Sequence, residues 1–319
     1  MEYVGIQTQK SRNNFRSLLL LVLFPVLVAA LTWLFCYILM WLSTDSEYYG
    51  TSSVLPNANY LFVGSVPFVL GGVVVWFVIA YFINTSIING ATHSRPLDRR
   101  ENKRIYNMVE NLCMSQGMPM PMVNVIEDGS LNAFASGINR KTYTVTLTRG
   151  IIDRLDDDEL ESVIAHELSH IRNNDVRLLI VSIVFVGIFT MVAQIALRAV
   201  MYGRFGSRGK NGGGAIAMLL LVAVVAAVGY VFATMMRFAI SRKREYLADA
   251  GAAEMTKNPR ALANALRKIS GNPDVESVTR NDVAQLFIQY PLNKKKSGFA
   301  GLFATHPPIE RRIEILERF

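Results

Sequence analysis

Residues 166–170 read His-Glu-Leu-Ser-His, two imidazoles four positions apart with a carboxylate beside the first. Positions four apart share one face of a helix, so both rings can reach one metal ion while Glu167 sits beside them to take a proton from a bound water. That is the chemistry of metal-assisted hydrolysis. The bland reading is a chance match on an amphipathic helix, with the histidines packed or capping and Glu167 solvated. A chain with 4 histidines makes such a match rare. A catalytic zinc takes three protein ligands and leaves a fourth position for water, so a third ligand must come from elsewhere. Asn173 and Asn174 follow the motif and the next histidine is His306, which leaves a carboxylate. Glu245, within Ser241-Arg242-Lys243-Arg244-Glu245-Tyr246-Leu247-Ala248-Asp249, is the best candidate. Asp249, one helical turn later, can accept the other N–H of a zinc histidine. Read in isolation, Glu245 would be a solvated residue paired with a basic neighbour; only the missing ligand raises it.

The motif has to be held by a helix, and Asp156 with Glu159 three residues on forms a capping-box pattern that opens one through Leu160, Val163 and Ile164. Upstream, Pro96 to Met114 reads as a helix, Met122 to Ile126 as a short strand, Asp128-Gly129 as a turn and Leu131 to Gly137 as a second strand. In Thr142 to Thr148, Tyr143, Val145 and Leu147 alternate with threonines, the period of a half-buried strand. Downstream, helices are expected after Pro259 and from Pro308.

A hydrophobic fraction of 51% with only 18% charged residues is more than the core of a soluble 319-residue chain requires. Four stretches without charge are long enough to cross a bilayer: 18–42, 60–83, 178–197 and 215–236. The first exceeds a signal peptide's apolar core and has no small-residue cleavage site after it, so it reads as an anchor. The net charge of +8 gathers beside these spans rather than along one helix face, which argues for membrane topology and against nucleic acid.

Lys10, Arg12 and Arg16 before the first span, and Arg95 to Arg104 after the second, place 1–17 and 84–177 in the cytoplasm and 43–59 outside. The loop 198–214 is basic, the wrong charge for an external loop, yet 84–177 and 237–319 share a side whether the hairpin crosses twice or not at all. They can therefore form one domain. Cys36 lies inside a span and Cys113 in a polar segment, so no disulfide is expected between them.

With these motifs in order, the chain resembles the membrane-embedded zinc peptidase family of the HtpX-type heat-shock proteases, which also contains the CAAX prenyl-proteases. The resemblance runs from the paired N-terminal spans to Thr305-His306-Pro307-Pro308. It implies a mainly α membrane protein, with four transmembrane helices and a cytoplasmic α+β zincin-like (gluzincin) catalytic domain holding a small β-sheet. It implies one zinc per chain on His166, His170 and Glu245, a general base at Glu167 and a supporting acid at Asp249. Asn132-Ala133-Phe134-Ala135 matches the family's edge strand for substrate, and His306 with Arg312 matches a pair that stabilises the oxyanion; Arg311 adjoins the latter. In isolation, His306 would cap the final helix, Asn132 would be a turn residue and His93 reads as a juxtamembrane loop residue.

The expected activity is hydrolysis of internal peptide bonds, with Glu167 moving the proton and His306 or Arg312 steadying the oxyanion. Seven residues separate His170 from the third span and eight separate Met236 from Glu245, which puts the site within roughly 15 Å of the apolar edge at 1.5 Å per helical residue. Membrane proteins or chains held at the membrane are then the expected substrates, and the resemblance implies misfolded or unassembled ones in the cell (plasma or inner) membrane, in a quality-control or stress role. The loop from Tyr202 to Gly214 is a candidate for self-cleavage. Two alternatives stand beside this: a prenyl-protein processing protease, which would need a chamber inside more than four spans, and an inactive scaffold or chaperone, for which an intact Glu167 would be needless.

Overall fold

The computed structural model describes residues 6–43, 53–177, 179–180, 187–189, 194, 198, 222–231, 242–273, 275, 286–288 and 307–319. His306 and most of 178–221 lie outside the described residues, and with them most of the expected third span, the basic loop and the start of the fourth span. The chain divides into two compact units. One comprises Leu18–Tyr81 and Val184–Met236, the other Met1–Ser17, Phe82–Ile183 and Arg237–Phe319.

Two long helices, α1 (Ile6–Ser43) and α2 (Val54–Thr92), supply most of the described apolar unit. They carry apolar windows, Val22–Trp41 and Val54–Ile83, long enough to cross a membrane. Only 6% of the second window is buried, with Tyr60, Phe68 and Phe82 turned outward. A soluble core helix would hide such rings, whereas a lipid-facing helix exposes them. Polar groups on the two helices meet in pairs: Trp33 Nε1 donates to Asn59 Oδ1 at 2.9 Å, and Cys36 Sγ lies 3.8 Å from Ser65 Oγ. The Phe189 ring meets Phe24 edge-on at 5.5 Å and closes over Gly229 of α6 (Val222–Val231), where a Cβ would come within 2.3 Å of it. Helix α2 starts before the expected Tyr60 because Pro56 falls in its first turn, where the missing N–H has no helical partner to lose. It also runs past Ile83 to Thr92, and His93, at φ 53°, ends it in a left-handed turn.

The second unit holds a four-stranded sheet in the order β1-β2-β4-β3. Its strands are β1 (Arg95–Pro96), β2 (Met122–Ile126), β3 (Ala133–Ser136) and β4 (Thr144–Thr148). β2 and β4 run parallel, while β1 and β3 pair antiparallel at the two edges. The alternation in β4 predicts a strand with one wet face, but all five residues are buried. The strand lies between β2 and β3, and two of its threonines bond to backbone carbonyls instead of to water: Thr148 Oγ1 donates to Ser130 O at 2.7 Å and Thr144 Oγ1 to Thr142 O at 3.2 Å. Helix α3 (Lys103–Ser115) begins later than the expected Pro96. Arg95 and Pro96 pair with Val125 and Asn124, and Asn102 caps the helix by accepting from Ile105 N at 3.1 Å.

After α4 (Arg149–Arg154), helix α5 (Asp157–Arg172) carries both histidines and packs on β3 and β4. Its capping box is complete: Asp156 Oδ1 accepts from Glu159 N at 2.9 Å, and Glu159 Oε2 accepts from Asp156 N at 3.1 Å and from Lys268 Nζ at 2.5 Å. Asp156→Ala should therefore cost about 1 kcal/mol, read as a lowered melting temperature at unchanged metal content. Helix α7 (Arg242–Thr256) crosses α5 closely, and α8 (Pro259–Gly271) and α9 (Ile309–Leu316) close around them. Small residues make the crossing possible: a Cβ at Gly251 would meet Ser169 Oγ at 2.6 Å, and Ala165, Ala248 and Ala252 are buried. The close approach brings Glu245 to the histidines.

Candidate metal centre

Helix geometry turns His166 and His170 the same way, and the crossing with α7 sets Glu245 opposite them. The ligand atoms of these three residues all lie within 4.8 Å of one another. His166 Nε2 is 3.1 Å from His170 Nε2 and 3.7 Å from Glu245 Oε2, while His170 Nε2 is 3.5 Å from Glu245 Oε1. Ligands about 2.1 Å from a tetrahedral zinc stand about 3.4 Å apart, so these separations bracket what zinc requires. Both histidines offer Nε2 to the common point and use Nδ1 for support: His166 Nδ1 is 3.0 Å from Asp249 Oδ1, and His170 Nδ1 is 3.1 Å from Asp175 Oδ2. Carboxylates in that position fix the tautomer that leaves Nε2 able to ligate.

The charges fit as well. Around the histidines, the described residues bury four carboxylates, Glu167, Asp175, Glu245 and Asp249, and two guanidinium groups, Arg244 and Arg312. Two negative charges are left over, the charge that one divalent cation neutralises. Burial lowers the His166 pKa to about 4 against the pull of Asp249, which keeps the ring in its neutral, ligating form. Burial also works against a charged His170, yet Asp175, Glu245 and Glu167 outweigh it and raise that pKa to about 9. A field that holds a proton so firmly is one that would hold a metal ion. Zinc therefore fits the residues present, and His166, His170 and Glu245 are the residues that could hold it.

Of the adjacent arginines, Arg311 is exposed and Arg312 is 1% exposed. Arg312 grips Asp249 with two nitrogens, Nε to Oδ2 at 2.9 Å and Nη2 to Oδ1 at 2.7 Å, and its Nη1 is 3.6 Å from Glu245 Oε2. Burial disfavours its charge, but Asp249 and Glu245 more than compensate and raise its pKa. Burial likewise pushes Asp249 up, and Arg312 and His166 bring it below the usual range. Glu167 is buried beside His166 on the same helix.

The expected substrate strand is placed differently from an open edge. Asn132 is fully buried, with Nδ2 donating to Pro273 O at 2.8 Å and its own N–H to Thr148 Oγ1 at 3.1 Å. The outer edge of β3 is bridged by the chain itself: Phe134 pairs antiparallel with Phe287, Ile288 N donates to Ala133 O at 2.8 Å, and the two phenylalanine rings stand 4.7 Å apart. Ala135 is buried next to this bridge. Sequence reasoning missed both Phe287 and Asp175. The Asn-Asn pair after the motif was the one signal that the chain turns back at Asp175.

Residues 99–319 match the profile of Peptidase family M48. Over its full length the chain is 66% identical to the "Protease HtpX homolog" of Bacteroides fragilis, covering all of that protein. It is 35% identical to the protein of that description in Streptococcus gordonii, over 82% of this chain and 90% of the relative. A Listeria monocytogenes relative is 39% identical over 73% and 80%. Among solved structures, Ste24p of S. mikatae shares 19% identity at a TM-score of 0.48, covering 78% of this chain and 58% of that one. With the profile and the full-length relative added to the histidine–glutamate cluster, the chain belongs to peptidase family M48, a zinc metallopeptidase family, and is a metallopeptidase.

Proposed function

We propose that this metallopeptidase is a multi-pass membrane enzyme with one zinc per chain, cutting internal peptide bonds of misfolded or unassembled membrane proteins on the cytoplasmic side. The observation that carries the reading is the ligand cluster: three donors converge on one point beside a buried glutamate, with no fourth protein ligand among the described residues. An open coordination position of this kind belongs to a catalytic rather than a structural site. When bound, zinc would polarise the scissile carbonyl and activate water. Glu167 takes the water's proton and hands it to the leaving amine. Arg312 orients His166 through Asp249, and its Nη2 also lies 3.5 Å from His166 Nε2, so His306 or Arg312 steadies the oxyanion.

An extended substrate along Asn132 to Ala135 would use main-chain hydrogen bonds with little sequence preference. To do so it has to displace the Leu286–Ile288 segment from β3 or pair beyond it. The four-span reading draws support from the outward apolar face of α2 and from the packing of Phe189 and Gly229 with Phe24. The test joins both halves of the proposal. Purified protein should contain about one zinc and lose casein cleavage on chelation, and single cysteines near residues 110 and 270 should label from the cytoplasm while one near residue 50 labels from outside. Active protein without stoichiometric metal, or residues 110 and 270 on opposite sides, defeats it.

A further inference from the structure

Each metal-facing histidine leans on its own carboxylate, and each carboxylate on its own arginine. We infer that Asp175 and Arg244 are a positioning pair for His170 and for the segment bearing Glu245, the counterpart of Asp249 and Arg312 at His166; the inference rests on the metallopeptidase reading of this site. Helix α5 ends at Arg172, and Asn174 takes a left-handed conformation at φ 59°, a turn that asparagine tolerates better than most residues. Tyr143 Oη donates to Asn174 Oδ1 at 3.4 Å. The reversal returns Asp175, 4% exposed, beneath the last turn of the helix.

There its two oxygens face different parts of the site. Oδ2 is 3.1 Å from His170 Nδ1, and Oδ1 is 3.6 Å from Arg244 Nη1, which also donates to the Asp175 carbonyl at 3.4 Å. A carboxylate this buried needs a cation or several donors to stay ionised. Arg244, itself 7% exposed, provides the cation. It directly precedes Glu245 in the first turn of α7, so holding its guanidinium fixes the backbone from which the third ligand projects. One aspartate therefore orients a ligand from α5 and anchors the segment that presents the ligand from α7. Neither residue is among the three donors that converge on the metal point.

The test uses the full-length protein, with zinc competition against a chelator and the absorption spectrum of the cobalt-substituted form as readouts. Asp175→Asn keeps an oxygen for the His170 N–H but removes the charge; it should weaken metal binding about 10- to 100-fold, shift the cobalt bands and lower kcat with KM near wild type. Arg244→Met should move the same readouts, and Arg244→Lys should recover part of the loss. A purely structural pair would lower the melting temperature and leave metal affinity and cobalt bands unchanged, which overturns the inference. If Asp175→Asn does not fold, the Arg244 pair decides: wild-type metal affinity in Arg244→Met refutes the proposal. Wild-type protein that takes up no metal defeats the metallopeptidase reading instead, so the two failures are distinguishable.

Discussion

Glu167→Gln should retain about one zinc per chain while peptide hydrolysis falls by roughly 10²- to 10⁴-fold or more, the range expected when a general base is lost. Glutamine matches the shape of the buried side chain and leaves His166, His170 and Glu245 in place, so the ligand cluster is not disturbed. The substitution removes one of the four buried carboxylates around the histidines. That change trims the field on the metal but takes away no ligand, so turnover rather than binding should respond. Metal analysis beside a casein or membrane-protein cleavage assay reads both quantities. If the loop 202–214 is cut by neighbouring copies during purification, Glu167→Gln should also yield a more intact chain on a gel. Cleavage at the wild-type rate would remove Glu167 from the mechanism, and a wild-type protein that cuts nothing yet prevents aggregation of membrane proteins would favour the scaffold alternative.

Glu245→Gln should behave differently, with metal and activity lost together. An amide oxygen is a poorer zinc ligand than a carboxylate, and the cluster holds no other donor to replace it among the described residues. Losing one of three ligands from a site binding with about 10–16 kcal/mol should remove roughly 3–5 kcal/mol, or about 10²- to 10⁴-fold in affinity. Arg312 adds to the effect, because its Nη1 loses the negative oxygen that stands 3.6 Å away. Equilibrium dialysis against a zinc buffer gives the affinity directly. Restoration of activity by excess zinc would show that the defect lies in metal retention, whereas full zinc occupancy without added metal would rule Glu245 out as a ligand.

The two glutamates also mark how differently parts of the site stand in the sequence. Glu167 and the two histidines are legible because their geometry is local: a helix places i and i+4 on one face whatever surrounds it. The capping box at Asp156 and Glu159 is legible for the same reason, since its two hydrogen bonds close within three residues. Apolar stretches announce themselves by composition, and α1 and α2 are helical across the two that lie within the described residues. Glu245 could be named only by elimination. Its approach to the histidines depends on Gly251 and Ser169 letting α7 cross close to α5, a matter of side-chain volume at a contact between distant segments.

Other features had no local signature. A two-residue strand such as β1 is too short to show a period, and the threonine face of β4 looks polar in sequence although the fold buries it. Asp175 lies outside the helical register of the motif and reaches His170 only through the left-handed turn at Asn174. Phe287 gives no sign in sequence that it bridges the outer edge of β3. The sequence by itself therefore determined the chemistry on offer and the helix that carries it, because residue type and spacing act over one or two turns. Only the tertiary structure brought Glu245 up to the histidines, set Arg312 rather than Arg311 against Asp249 and placed Asp175 behind His170, because those arrangements follow from packing and turns that no local spacing encodes.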